Sequence, residues 1–282
     1  MPSTQSLILP AVRGALNGLS KVSPAKAGKV AYNILAKPRR PALTEAGKQF
    51  LAAAESRTLL LAGDPIQVHH WPGSGPGILL LHGWESSTAR WAPYFETLRQ
   101  HEFDIYAIDA PAQGGSGGVE FSAMAYAAAL EAYLEQLETP PIYWLGHSAG
   151  GMAALYYLSE MNGQIRPDRL IIMGVAGEMY NFVDRFCEIV GLNNVVHAGI
   201  EHEFTKRFGM TFSDVSFVRM AGQLEMPGLI IHDRDDELAH ISGAEDINRA
   251  WESSELMITE GRTHSVLGED IPGIVAEYFL GL

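Results

Sequence analysis

The sequence predicts a doubly wound α/β fold with a mostly parallel sheet. Short apolar runs alternate with longer helical patterns along most of the chain. Several of the runs are apolar throughout, which is typical of strands buried on both faces of a parallel sheet. Strands that alternate with helices imply right-handed crossovers, and these build this architecture. The chain of 282 residues is long enough for two average domains, although one α/β domain can also reach this length.

Eight runs are candidate strands, and five longer patterns between them are candidate helices. The strands are 58–62, 66–70, 78–81, 105–109, 142–145, 170–175, 229–231 and 256–259, and the helices are 89–100, 121–137, 149–160, 244–251 and 274–279. Gly63-Asp64-Pro65 joins the first two strands and predicts a hairpin at an antiparallel edge. We therefore expect His69 and His70 to be partly exposed. The main α/β domain is predicted to span residues 58–282.

Residues 177–226 interrupt this rhythm because they contain amphipathic pieces and no strand signal. A connection of this length in a compact domain usually has a function, so it predicts a small helical cap. Met179, Tyr180 and Phe182 at its start offer apolar side chains for a substrate pocket. The alternative is that the same side chains pack on the rest of the protein.

Composition excludes several classes of protein. Hydrophobic residues make up 47% of the chain and charged residues 19%, which excludes a disordered chain. No apolar run approaches the ~20 residues that span a bilayer, and no signal-peptide core follows a basic start. Cys187 is the single cysteine, which excludes an internal disulfide and a cysteine-based metal site. These features are compatible with a cytoplasmic protein.

The net charge of −13 is unevenly distributed. Residues 1–57 have nine basic and two acidic side chains, and the remaining chain is strongly acidic. An acidic body repels phosphate backbones, so nucleic acid is not an expected partner. Residues 1–57 are interpreted as a basic N-terminal helical extension. Its charge suits either peripheral contact with an anionic membrane or packing against the acidic body.

The motif with the clearest chemistry is Gly146-His147-Ser148-Ala149-Gly150. It fits the G-x-S-x-G nucleophile elbow, and it follows an apolar strand and opens a helix, as that motif requires. Glycines on both sides let strand and helix approach closely while the serine stands free. The helix start also directs the Ala149 amide toward a developing oxyanion. The alternative is an ordinary strand-to-helix turn with Ser148 as the N-cap.

A nucleophilic serine needs a base, and the base needs an acid that orients it. Downstream of Ser148, an acidic loop containing Asp233, Asp235 and Asp236 follows one strand, and His264 follows the next strand. Both loops are expected at the carboxyl edge of the same sheet, where ligands bind in open α/β folds. The glycines after Asp109 lack the spacing and the lysine of a nucleotide-binding loop, so Asp109 is interpreted as a structural anchor.

These motifs, in this order, resemble the serine-nucleophile branch of the α/β-hydrolase family over roughly residues 58–282. The resemblance implies that the acid lies four residues after His232, which selects Asp236, with Asp233 and Asp235 as alternatives. It also implies that the His82-Gly83 turn presents the Trp84 amide as the second oxyanion donor, beside the Ala149 amide.

The predicted function is therefore a serine hydrolase that cleaves a small carboxylic ester or thioester, without a cofactor or metal. Ser148 would attack, His264 would transfer the proton, and Asp236 would orient the imidazole. The same fold can also serve a lyase, an acyltransferase or a cofactor-free oxygenase, and a non-catalytic binding protein is a further alternative.

Overall fold

A computed structural model describes residues 4–282, with side chains from residue 9 onward. The chain divides into two compact units. The first, called the helical unit here, consists of the residues up to Lys37 together with Glu178–Ser216. The second, called the main unit, consists of Pro38–Gly177 and Phe217–Leu282.

The main unit contains one sheet of eight strands in the order β1-β2-β4-β3-β5-β6-β7-β8. In chain order the strands are β1 (Glu55–Leu61), β2 (Asp64–Trp71), β3 (Gly77–Leu81), β4 (Asp104–Ile108), β5 (Tyr143–His147), β6 (Arg169–Met173), β7 (Gly228–Asp233) and β8 (Ser254–Thr259). β1 pairs antiparallel with β2, and β2 antiparallel with β4, while all other pairs are parallel. The predicted fold class, including the antiparallel edge, is confirmed.

Burial explains why the central strands read as continuous apolar runs. β3 to β6 are buried from their second residue on, and β7 is buried along its whole length. The helices of the main unit are α3 (Glu45–Ala52), α4 (Phe95–Gln100), α5 (Ala123–Leu134), α6 (Ala149–Ser159), α9 (Phe217–Ala221), α10 (Ile241–Ala250) and α11 (Ile271–Leu280).

Three local features differ from the sequence predictions. The helix predicted over 89–100 begins as a 3₁₀ helix, Thr88–Tyr94, because Pro93 lacks an N–H and opposes an α-helical turn. The first hairpin turns at Ala62-Gly63, where both residues have positive φ, 50° and 94°, as a two-residue hairpin prefers. His69 is buried rather than partly exposed, because β2 lies between β1 and β4 and side chains from both sides contact its ring. Oγ of Ser56 lies 2.8 Å from Nδ1 of His69, and Asp109, which follows β4, lies 3.6 Å from Nε2.

The helical unit consists of α1 (Thr4–Val22), α2 (Pro24–Ala36), α7 (Met179–Val190), α8 (Asn194–Phe208) and a short 3₁₀ helix, Phe212–Asp214. α2 crosses α8 at Gly28 and Gly199, where a Cβ added to Gly28 would lie 2.4 Å from the Gly199 backbone. Asn17 of α1 also bonds both the Gly191 carbonyl and the Asn193 amide, each at 2.9 Å. The N-terminal helices thus pack with residues of the predicted cap segment.

The predicted boundaries, 1–57, 58–282 and the 177–226 insertion, stay predictions, and residues 1–3 of the extension lie outside the described residues. Within residues 4–282, no helix has the length and apolarity needed to cross a membrane. Peripheral membrane contact of the basic N-terminus and a cytoplasmic location also stay predictions.

Candidate active site

Ser148 lies at the turn between β5 and α6, in a backbone conformation that L-residues rarely adopt. Its φ is +50° and its ψ is −117°. Such a conformation costs about 1–3 kcal/mol and persists only where the surroundings impose it. Here the Ser148 amide donates to the Met173 carbonyl at 2.7 Å, which ties the turn to the end of β6.

The glycines of the elbow are required by close backbone packing. A Cβ on Gly146 would lie 2.7 Å from the Gly151 backbone, and a Cβ on Gly150 would lie 2.3 Å from the Leu81 carbonyl oxygen. Real Cβ atoms essentially never approach this closely. The strand and helix therefore approach each other as the sequence motif predicts.

Ser148, His264 and Asp236 form one continuous chain of polar contacts. Oγ of Ser148 lies 2.9 Å from Nε2 of His264, and Nδ1 of His264 lies 2.8 Å from Oδ2 of Asp236. A carboxylate oxygen only accepts, so Nδ1 of the ring carries the proton. In the neutral ring, Nε2 is then free to accept the proton of the Ser148 hydroxyl.

Asp236 is buried and is oriented by backbone donors. Its Oδ1 accepts the amides of Leu238 at 2.8 Å and Ala239 at 2.9 Å, which leaves Oδ2 directed at His264. The buried His232 ring also lies beside this carboxylate, with Nε2 3.5 Å from Oδ2. That nitrogen donates to the Ala239 carbonyl at 2.7 Å, so His232 helps to fix the loop that contains Asp236.

The two alternative acids have other contacts. Asp233 is buried and accepts the Thr259 hydroxyl at 2.7 Å and the Arg262 and Thr263 amides at 2.9 Å. Burial raises the pKa of Asp233, but these hydrogen bonds outweigh it and lower the pKa. Asp235 is exposed, and its carboxylate accepts the Gly261 amide at 3.1 Å. Both residues connect the acid loop to the histidine loop.

The predicted oxyanion donors are the amide of Ala149, the residue after Ser148, and the amide of Trp84, and their role stays a prediction. Ala149 begins α6, and the His82-Gly83 turn at the end of β3 packs against the elbow. A Cβ on Gly83 would lie 3.2 Å from Cβ of Ser148. Nδ1 of His82 donates to the Gly83 carbonyl at 2.7 Å, and its Nε2 accepts the Ala110 amide at 2.9 Å. Trp84 follows this turn and is half-buried.

Sequence reasoning missed Arg90 and the contacts of His147. Nη1 of Arg90 lies 2.6 Å from Nδ1 of His147, whose Nε2 lies 2.8 Å from the His264 carbonyl oxygen. Burial, followed by the charge of Arg90, lowers the pKa of His147 well below its usual value. The sequence offers no signal for this contact because Arg90 lies 57 residues before His147.

The candidate substrate-binding residues Met179, Tyr180 and Phe182 lie on α7, in the helical unit. Ser148, His264 and Asp236 lie in the main unit. Tyr180 is exposed, and the other two are half-buried. Their role in binding stays a prediction. Within the described residues, no group of three or more His, Cys, Asp or Glu side chains is arranged to hold a metal ion.

Comparison with known proteins supports the same fold from sequence. A family model described as alpha/beta hydrolase fold matches residues 76–186. Pimeloyl-[acyl-carrier protein] methyl ester esterase of Vibrio vulnificus is 38% identical over 92 residues, 31% of this chain and 33% of that protein. The enzyme of the same name from Xylella fastidiosa is 36% identical over 84 residues, 30% of this chain and 31% of its own. The matches thus span about a third of these curated relatives.

Solved structures share the fold over most of the chain. The esterase Pf2001 of Pyrococcus furiosus superposes with a TM-score of 0.67 at 18% identity, covering 87% of this chain and 98% of its own. A thioesterase domain from the curacin biosynthetic pathway superposes with a TM-score of 0.60 at 15% identity, covering 81% of this chain and 99% of its own. A bacterial membrane phospholipase A superposes with a TM-score of 0.63 at 16% identity, covering 98% of this chain and 96% of its own. Together with the matched family model and the eight-stranded sheet, this similarity shows that the chain has the α/β-hydrolase fold.

Proposed function

We propose that this chain is a serine hydrolase that cleaves a carboxylic ester or thioester through Ser148, His264 and Asp236. The observation that carries the proposal is the chain of contacts from Ser148 Oγ through the His264 ring to Asp236, built at a strained strand-to-helix turn. A serine is activated when it lies on such a turn at the carboxyl end of a strand, with a base within hydrogen-bond distance and an acid that orients the base.

The proposed reaction proceeds in two acyl transfers. Nε2 of His264 takes the Ser148 proton as Oγ bonds to the acyl carbon, and the amides of Trp84 and Ala149 stabilise the negative oxygen that forms. His264 then gives this proton to the leaving alcohol or thiol as the bond between the leaving group and the acyl carbon breaks. Water attacks the acyl-enzyme in the same way, with His264 again as the base, and this second step releases the acid and restores Ser148.

The names of the relatives suggest which substrates to test first. The matched curated proteins are methyl ester esterases of an acyl group on a carrier protein, and one structural neighbour is a thioesterase domain. We propose that the substrate is an acyl ester or thioester of this general class. A panel of methyl esters, p-nitrophenyl esters and acyl thioesters would rank these, and cyanohydrins in the panel would detect lyase activity.

The test of the function is covalent labelling. A fluorophosphonate reagent should modify Ser148 of the full chain stoichiometrically, and peptide mass spectrometry should locate the adduct on the peptide that contains Gly146–Gly150. Denatured protein is the control, since labelling requires the assembled base. Absence of labelling of the folded chain, together with no turnover on the panel, would leave a non-catalytic binding protein as the better interpretation.

A further inference from the structure

The turn that carries His264 is strained and is held from one side by Asp233. Thr263 and Val266 have φ values of +55° and +48°, a region that β-branched residues rarely adopt. Such conformations persist only where surrounding contacts impose them. The Asp233 carboxylate supplies two such contacts, because it accepts the backbone amides of Arg262 and Thr263.

From the other side, two donors hold consecutive carbonyl groups of this turn. Nε2 of His147 lies 2.8 Å from the carbonyl oxygen of His264, and Nη2 of Arg90 lies 2.9 Å from that of Ser265. Nη1 of Arg90 also lies 2.6 Å from Nδ1 of His147. Arg90 and His147 thus form a linked pair that spans both carbonyl groups.

The chemistry of the pair fixes the state of the His147 ring. A guanidinium group only donates, so Nδ1 of His147 accepts, and the single proton of the neutral ring lies on Nε2. That N–H donates to the His264 carbonyl. The groups that face the ring, in addition to the burial that lowers its pKa, are Arg90, His264 and His82, and the charged form of each disfavours protonation of His147.

The Arg90 side chain is directed into the protein, toward His147 and the turn that carries His264. Its Nε is shielded from solvent without a hydrogen-bond partner, and burial lowers its pKa to about 10, so it remains charged at neutral pH. Its guanidinium lies 5.0 Å from the centre of the Trp91 ring. The hydrogen bonds described for it lead to His147 and to the turn.

We propose that Arg90 and His147 are positioning residues for His264, an inference that rests on the proposed function. By fixing the carbonyl groups of residues 264 and 265, they hold the strained turn so that Nε2 of His264 meets Oγ of Ser148. A misplacement of about 1 Å at a reacting group can cost about 10²-fold in rate. The pair therefore acts on the rate of the chemical step rather than on substrate binding.

The sharpest test compares His147→Gln with His147→Leu in the full chain. Glutamine keeps both bonds, because its carbonyl accepts from Arg90 and its amide donates to the His264 carbonyl, while leucine keeps neither. On a p-nitrophenyl ester, we expect the leucine variant to lose about 10²-fold in kcat, with KM little changed. Its rate of fluorophosphonate labelling should fall in parallel. The glutamine variant should retain most of both rates.

A second pair of variants covers the case in which the leucine variant fails to fold. Arg90→Lys keeps the charge but loses the planar fork that reaches two acceptors, so it should slow labelling. Arg169→Lys is the matched control. Its guanidinium also lies over an aromatic ring, 5.4 Å from the centre of Tyr278, and donates to a carbonyl. That control should label at the wild-type rate.

Long-range ¹⁵N spectra of the histidine rings give a readout that does not depend on activity. The His147 signals, assigned by their absence in His147→Gln, should report the Nε2–H form, and His147→Leu should shift the His264 signals. If the wild type labels at Ser148 but the leucine and lysine variants label as fast, the positioning role is wrong. A glutamine variant as slow as leucine, or an Nδ1–H ring in His147, also overturns it. Failure of wild-type labelling would count against the proposed function instead.

Discussion

The main unit contains two clusters of serine, histidine and aspartate, and only in the first does the histidine lie within hydrogen-bond distance of both the serine and the aspartate. In the first cluster, His264 lies 2.9 Å from Ser148 Oγ and 2.8 Å from Asp236. In the second, Nδ1 of His69 lies 2.8 Å from Oγ of Ser56, but its Nε2 is 3.6 Å from Asp109. The second separation is beyond a good hydrogen bond.

The backbone separates the two clusters more sharply than the side chains do. Ser148 lies on a strained turn at the start of a helix, beside the Gly83 backbone. Ser56 lies within β1, directly opposite His69 in an antiparallel pair. Asp109 also has a structural role, since its carboxylate accepts the Thr88 and Gly115 amides at 2.7 Å. The comparison teaches that the backbone conformation of the serine, and not only the three residue types, distinguishes the proposed nucleophilic site from the second cluster.

The largest expected difference between the clusters is in covalent labelling. Ser148→Ala should abolish fluorophosphonate labelling and lower ester turnover at least about 10⁴-fold, because the nucleophile is gone while alanine still fits the elbow. Ser56→Ala should label like the wild type. Labelling that persists in Ser148→Ala and disappears in Ser56→Ala would invert the comparison.

The orienting acid should give the next largest effect. Asp236→Asn should lower kcat by about 10⁴-fold with the fold retained, because the asparagine amide stabilises the wrong tautomer of His264. Asp235→Asn is the matched control, since this exposed side chain accepts only one described backbone amide, and its turnover should change little. If Asp235→Asn rather than Asp236→Asn loses turnover, Asp236 is not the acid.

Asp233→Asn should lower the free energy of unfolding, because four hydrogen bonds converge on the Asp233 carboxylate.

The residues of the first cluster could be selected from the sequence because most of its parts follow local rules. The G-x-S-x-G turn specifies its own backbone, and the acid and histidine loops each follow an apolar strand that ends at the same sheet edge. Asp236 needed the family resemblance, since three aspartates stand within four residues and their reach depends on the loop conformation. The contacts of Arg90 depend on the packing of segments far apart in the chain, which no local pattern encodes. His69 was misjudged because the position of β2 between β1 and β4 is a property of the sheet order.

Asp109 should affect stability, in a manner that depends on pH. Burial raises the pKa of Asp109, but neighbouring imidazoles and backbone amides outweigh it and lower the pKa to about 2. A lowered pKa in the folded state means that the stabilisation is complete above the unfolded value near 4 and is lost as pH falls toward 2. At about 1.4 kcal/mol per pKa unit, the contribution is about 2 kcal/mol.

We therefore expect Asp109→Asn to lower the free energy of unfolding by about 2 kcal/mol at pH 7. Urea titrations of the wild type and the variant at several pH values between 7 and 3 would measure the difference. It should be constant down to about pH 5 and then narrow as the unfolded wild type takes up its proton. A difference that widens toward pH 3 would contradict the assigned direction of the pKa shift.

The smallest expected effect concerns Ser56, whose hydroxyl is the partner of Nδ1 in the buried His69 ring. Ser56→Ala should lower the free energy of unfolding by about 1 kcal/mol, because it leaves a buried ring nitrogen without its hydrogen bond. Ser56→Thr retains the hydroxyl and suits a β-strand, so it should restore the stability. Urea midpoints at an unchanged slope would measure both variants. Since Ser56 only satisfies a histidine in the second cluster, neither change should alter the rate of Ser148 labelling. A loss of labelling in Ser56→Ala that is restored in Ser56→Thr would show that the two clusters communicate, and the distinction drawn between them would fail.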